Sequence, residues 1–195
     1  LGWYIDDVSI VVKEPELDGG FEGGWGDFYT DNGLWQVGAP TAGPGECHSG
    51  ESCAGTVLNG DYPNQTDSRL VSPTVTLPAI VGDDEIHLRY WTWSSVGDAE
   101  DYRQVQLSEW DESTGAWLAW VNVGPRQYWS SPAWSVAAVE LSEYAEKTVR
   151  IAFLHASDGN YPGLGWYIDD VSIVVKEPEL EGDFERGWGD FYTDN

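Results

Sequence analysis

Apolar and polar residues alternate at a period of two through much of this chain. In EIHLRYWTW (residues 85 to 93), Ile86, Leu88 and Tyr90 fall on one face and His87, Arg89 and Trp91 on the other. That is the spacing of an extended strand, whose successive side chains point to opposite sides. A looser form of the pattern predicts strands over YRQVQLSEW (102 to 110), AWLAWVNV (116 to 123), WSVAAVEL (134 to 141), KTVRIAFLHA (147 to 156) and GWYIDDVSIVV (165 to 175). Gly, Pro, Asp and Ser punctuate the gaps, as turn-forming residues do. No stretch longer than the LSEYAEK turn has helical periodicity. The expectation is an all-β domain built as a two-sheet antiparallel β-sandwich.

The chain also repeats itself. Residues 1 to 32 recur at 164 to 195 with a constant offset of 163, differing only at Asp18 against Glu181, Gly20 against Asp183 and Gly23 against Arg186. Solenoid units run to roughly 20 to 50 residues, whereas a period of this length can close a core of its own. The sequence therefore reads as a window on a tandem array of domain-sized modules. The charged segment KEPEL, stiffened by its proline, marks the module boundary. In this phase residues 1 to 12 are the closing strand of a preceding repeat and 13 to 17 a linker. One complete module spans 17 to 175, a second linker 176 to 180, and 181 to 195 open the next repeat.

Composition narrows the partners. The 34 acidic and 9 basic residues give a net charge of −25, which argues against nucleic acid or an anionic membrane as a partner. No apolar run approaches the roughly 18 residues of a membrane-spanning helix, so no membrane insertion is expected in this segment. Cys47 and Cys53 flank a Gly/Ser-rich loop in GECHSGESC, and a disulfide between them is expected, which places the protein outside the cytoplasm. Asn64-Gln65-Thr66 is a glycosylation sequon.

In the phase fixed by KEPEL, GGFEGGWGDFYTDNGLWQVGAP opens the module. HSGESCAGTVLNGDY, SRLVSPTVTLP, LRYWTW, DYRQVQLS and VELSEYAEKTVRIAFLHASDG follow, and GWYIDDVSI closes it. Together and in this order these segments resemble the MAM-like, choice-of-anchor-J-type jelly-roll modules of bacterial secreted proteins, among them the accessory domains of immune inhibitor A-type metallopeptidases. The resemblance implies a jelly-roll β-sandwich, an extracellular location, a binding or structural role, and a structural Ca²⁺. It implies no catalysis by the module, and the helical metal signature HExxH of the peptidases is absent.

Asp169 and Asp170 stand next to each other in an apolar strand, so alternation predicts that one points into the sandwich. A buried lone carboxylate is costly and calls for a proton, a basic partner or a cation. A hard, oxygen-coordinated ion such as Ca²⁺ suits carboxylates joined by loop carbonyls. The family resemblance implies that the acid of the opening FE motif, Glu22, meets Asp169 or Asp170 near such an ion. The competing reading is that both aspartates cap the sheet through hydrogen bonds or an arginine.

Cys47, His48 and Cys53 match zinc spacing poorly and have no evident fourth ligand. No G-x-S-x-G elbow is present, and His155, in phase with Val149, Ile151 and Phe153, reads as a core histidine with its ring nitrogens satisfied. The module is therefore expected not to be an enzyme. Trp110, Trp117, Trp120, Trp129 and Trp134 cluster in one third of the module, so a sugar-stacking row competes with ordinary core and interface burial. The reading that follows is a structural module of an extracellular tandem-repeat fibre or adhesin stalk. Its partners are neighbouring copies of itself, with Trp25 or Trp188 packing between modules and lateral contacts between chains that include strand donation. The alternative is a carbohydrate-binding module, with polysaccharide as partner, or the accessory domain of a secreted peptidase.

Overall fold

The computed structural model describes residues 17–176. The predicted closing strand at 1 to 12, most of both linkers, the opening segment at 181 to 195 and Trp188 lie outside the described residues. Within them run β1 (Tyr29–Thr30), β2 (Gln36–Gly38), β3 (Cys53–Gly55), β4 (Asp67–Val71), β5 (Val75–Thr76), β6 (Glu85–Ser95), β7 (Tyr102–Asp111), β8 (Ala116–Trp117), β9 (Val121–Asn122), β10 (Ser131–Glu140), a 3₁₀ turn (Ser142–Tyr144), β11 (Thr148–Ala156) and β12 (Gly165–Lys176). They form two antiparallel sheets. The seven-stranded sheet is ordered β1-β4-β11-β7-β8, with β5 added on β11 and β9 on β7, and the five-stranded sheet is ordered β10-β6-β12-β3-β2. The expected two-sheet sandwich is the observed fold.

The alternation that predicts β6 also positions it. Ile86, Leu88 and Tyr90 turn inward and are buried, while Arg89 is exposed on the outer side. Each fully buried aliphatic side chain of this kind stabilises the fold by about 1.5–3 kcal/mol. Between the sheets Trp166 of β12 lies 5.6 Å from Trp35 and 5.6 Å from Phe153, ring to ring, and its indole N–H donates to Thr92 Oγ1 at 2.7 Å. A buried indole that keeps a partner contributes its apolar area without stranding a donor.

Several expectations need correction. AWLAWVNV is not one strand but β8 and β9, both paired with β7 and interrupted at Leu118 to Trp120, where Leu118 still donates its N–H to the Glu109 carbonyl at 2.8 Å. WSVAAVEL starts earlier, at Ser131, and carries an irregularity between Ser131 and Ser135. The strands β1 to β5 have no counterpart in the sequence prediction. They are two to five residues long, too short to display a period, and only pairing with neighbouring strands makes them extended. Gly19 forms an isolated antiparallel bridge with Val171, whose N–H donates to the Gly19 carbonyl at 3.2 Å. A Cβ on residue 19 would overlap Val171, so this close approach requires glycine.

Candidate functional site

Two outer faces carry most of the polar chemistry. Over the five-stranded sheet lies the loop between β2 and β3, closed by the expected Cys47–Cys53 disulfide with Cα atoms 5.5 Å apart. Tyr167 of β12 supports the loop from below: its ring sits 2.6 Å from where a Cβ on Gly43 would be, and Gly43 has a positive φ of 66°. Further along the loop, His48 stacks on Trp91 of β6 with ring centroids 3.6 Å apart.

Beneath this loop lie the two predicted aspartates. Asp169 is fully buried, and its carboxylate accepts from the Ser49 N–H at 3.1 Å and the Asp170 N–H at 2.9 Å. Asp170 bonds the His48 imidazole at 2.7 Å and accepts from the Ser49 hydroxyl at 2.9 Å. Strict alternation does not hold here. Asp170 has a φ of +49°, and the β6–β12 register shifts between Asp169 and Ser172, a bulge that turns both carboxylates toward one loop. Asp169 is opposite Trp91, on the outer side, so it is buried under the disulfide loop and not between the sheets. That burial, joined by the neighbouring Asp170 charge, pushes its pKa up to about 6 against the pull of its two amide donors and His48.

Glu22 reaches the same loop two residues further on. Its carboxylate accepts from the Glu51 N–H at 3.0 Å and the Ser52 N–H at 3.0 Å. The group whose ligand atoms lie within 4.8 Å of one another is His48, Asp169 and Asp170, without Glu22. Two carboxylates this close, one buried and reluctant to ionise, suit a divalent cation electrostatically. His48 was not anticipated as their neighbour, because nothing in the sequence ties position 48 to position 170. A second acidic group has no signature in the sequence: Asp98, Asp101 and Asp158 converge between the β6–β7 and β11–β12 loops. Buried Asp101 there accepts from the Tyr62 hydroxyl and, at 2.9 Å, from the Asp158 N–H.

The outer face of the seven-stranded sheet is built from tryptophan and arginine. Trp110 and Trp117 meet edge-on at 5.3 Å. The Arg150 guanidinium lies 4.0 Å from the Trp117 ring centroid and 5.2 Å from that of Trp120, and Arg69 lies 5.9 Å from Trp120. Arg69 is held by Asp31 at 3.1 Å and by Gln106 at 2.8 Å. The five tryptophans singled out in the sequence thus divide. Trp110, Trp117 and Trp120 share this face. Trp134 joins the disulfide loop, donating to the Glu46 carbonyl at 3.2 Å, and Trp129 stands alone with 62% of its surface exposed. Trp25, expected between modules, packs partly buried on the core of its own module.

His155 is a core residue, as expected, but it is not satisfied: neither ring nitrogen has a hydrogen-bond partner among the described residues. Burial and the Arg103 charge hold its pKa down to about 4, so it is neutral at physiological pH.

No protein-family model matches the chain. It is 30% identical over 177 residues to Bacillopeptidase F of Bacillus subtilis (strain 168), an alignment that covers 87% of this chain and 12% of that protein. The chain therefore spans about 12% of the length of the curated relative it matches. Among solved structures it is similar to TmCBM61 in complex with beta-1,4-galactotriose, with a TM-score of 0.52 at 15% identity over 81% of this chain and 95% of that one. It is equally similar to the K3 cleaved adhesin domain of Lys-gingipain from Porphyromonas gingivalis w83, with a TM-score of 0.51 at 22% identity over 82% and 98%. At these identities the shared property is the fold.

Proposed function

We propose that the chain is a non-catalytic module of an extracellular tandem-repeat fibre or adhesin stalk. The observation that carries this reading is the recurrence of residues 1 to 32 at 164 to 195 with three differences, the mark of an array expanded by duplication. The disulfide supports an oxidising, extracellular setting. The fold shared with the gingipain adhesin domain is consistent with that role.

The geometry at Gly19 adds how such modules would join. Because Gly19 pairs antiparallel with Val171, the chain enters the sandwich beside the C-terminal half of β12, and Lys176 follows Val171 only five residues later, about 17 Å along the strand. The chain thus enters and leaves the sandwich at the same end. In the repeat, Leu180 is the equivalent of Leu17, and the four residues from Lys176 to it reach at most about 14 Å. Successive modules are then tethered end beside end, and their spacing is set by the width of the sandwich. Electron microscopy of a multi-module chain tests this: a regular filament with one bead per 163-residue repeat is expected. Freely jointed beads, or a compact particle, would refute it.

A second reading rests on the Trp117–Trp120–Arg150 face. Half-exposed indoles bordered by guanidinium and amide groups form a surface on which a sugar ring can stack and hydrogen-bond. TmCBM61, solved with a galactotriose, shares the fold, and the match to Bacillopeptidase F suits an accessory module of a secreted peptidase. Pull-down on insoluble polysaccharides, with Trp120→Ala as control, separates this reading from the first. In either case we assign Ca²⁺, as a structural ion, to the Asp169–Asp170 pair, with Glu22 held by the same loop.

A further inference from the structure

At the open edge of the sandwich, where β10 and the segment following β9 face each other, lies a cavity of about 130 Å³. Buried Tyr90, Arg103 and Trp166 line it, and exposed Gly124, Pro125 and Ala138 bring it to the surface. Arg103 is the unusual member. It is only 2% exposed, yet its Nε and Nη1 have no hydrogen-bond partner among the described residues, and no ion pair among them includes it. Its remaining nitrogen, Nη2, donates to the Trp129 carbonyl at 2.7 Å, and the guanidinium lies 5.7 Å from the Trp166 ring centroid. These contacts hold the group in place but supply no counter-charge. Its cross-strand partner is His155, which is neutral and also without a partner. A buried cation in a chain carrying a net charge of −25 has abundant carboxylates to recruit, and none of those among the described residues pairs with it.

We propose that this cavity is a binding site for a single carboxylate group, with Arg103 as its anchor. A guanidinium is matched to a carboxylate in shape and charge, and water exclusion strengthens the contact. The volume exceeds by several-fold the roughly 15 Å³ that one water needs, which leaves room for a carboxylate and the first carbons behind it. The charge of the chain leaves this site attractive only at short range, so selectivity must come from the cavity and not from long-range steering. The carboxylate has two chemical sources, a free small acid or a uronic acid unit of an acidic polysaccharide. The site lies apart from the Trp117–Trp120 face, so it stands or falls separately from the sugar-stacking reading.

The test uses the full chain at constant ionic strength in chloride. Sodium acetate, sodium galacturonate, galacturonate methyl ester and polygalacturonate are titrated by calorimetry and thermal shift. The expected result is saturable stabilisation by the carboxylates and none by the ester. Ala137→Leu fills the cavity opposite Tyr90 while leaving Arg103 in place, and it is expected to reduce binding at least tenfold without lowering the melting temperature. Arg103→Gln should do the same if it folds. In the wild-type chain, bound carboxylate should raise the His155 pKa, read from its ring proton shifts, because the charge across the strand is neutralised. Binding of acetate without polygalacturonate assigns the site to a free acid, and binding of both assigns it to the sugar acid. No saturable response to any carboxylate, equal binding of the ester, or undiminished binding by Ala137→Leu overturns the proposal.

Discussion

The two outer faces of this sandwich solve the same problem with opposite charges. Over the five-stranded sheet, a disulfide-closed loop lies on two carboxylates and hands them a backbone N–H, a hydroxyl and an imidazole, and it gives Glu22 two more N–H groups. Over the seven-stranded sheet, two arginines lie against indole rings and take Asp31, Gln106 and Tyr29 as partners. The acidic face depends on a backbone held in one conformation, since amide donors can be aimed only by the loop that carries them. The basic face depends on side chains, which adjust singly. Disturbing the loop should therefore cost more than disturbing the arginines.

The largest expected effect is at Gly43. Valine there places methyl groups in the Tyr167 ring and a β-branched residue at a φ of 66°. Overpacking and a left-handed backbone each cost about 1–3 kcal/mol, so a loss of about 4 kcal/mol is expected by denaturant unfolding. Gly115, in the hairpin beside Trp117, has a similar φ of 65° but open space around it, and Gly115→Ala should cost about 1 kcal/mol. Equal losses at the two positions would remove the distinction between the faces.

Calcium sharpens the comparison. If the cation sits at Asp169 and Asp170, adding Ca²⁺ to about 100 times its dissociation constant stabilises the chain by about 2.7 kcal/mol, and EDTA reverses the gain. Asp169→Asn should abolish most of that response, and Arg150→Ala should leave it intact. An unchanged melting temperature, with no metal found by mass spectrometry, would dispose of the ion.

On the other face Arg150→Ala removes contacts to Trp117 and Trp120 and a bond to the Tyr29 hydroxyl at 3.1 Å. Exposed cation–π contacts contribute about 0.5–1 kcal/mol each, so a loss of about 1 kcal/mol is expected. If a polysaccharide binds this face, the same change should weaken capture on the insoluble polymer more than it weakens the fold.

The contrast between the faces also explains what the sequence discloses. β6 and β12 are legible because many residues pair on both sides, so one period runs long enough to be read. The Asp169–Asp170 pair is visible as a chemical oddity in an apolar strand. Its true surroundings are not, because the bulge that reorients Asp170 and the loop that brings His48 depend on contacts 122 residues apart in sequence. The five tryptophans look like a set because they are close in the chain, whereas the turn between β9 and β10 carries Trp129 and Trp134 away from the other three. Arg103 is the clearest case: DYRQVQLS alternates correctly, and alternation alone puts an arginine on the same face as Val105 and Leu107, yet a charge in that position looks like an error until the cavity beside it is seen.

The smallest expected effect comes from two buried groups that oppose each other. The Asp169 pKa is raised from the ordinary 3.8 to about 6, so the folded state binds its proton more tightly than the unfolded chain does. Its contribution to stability is full below about pH 4 and is lost as pH rises through 6. The His155 pKa is lowered from 6.5 to about 4, so its contribution is full above about pH 6.5 and is lost as pH falls through 4. Over pH 4 to 6.5 the two slopes have opposite signs and largely cancel, which leaves wild-type stability changing there by only about 1 kcal/mol from this pair. Removing either group should expose the other. Asp169→Asn leaves the histidine, so its stability relative to wild type should climb with pH across this window. His155→Phe leaves the aspartate and should show the reverse. Saturating Ca²⁺ in the wild-type chain should mimic Asp169→Asn, because a bound cation holds the carboxylate ionised throughout. Parallel profiles for the wild type and both variants would mean that neither group titrates as its burial requires.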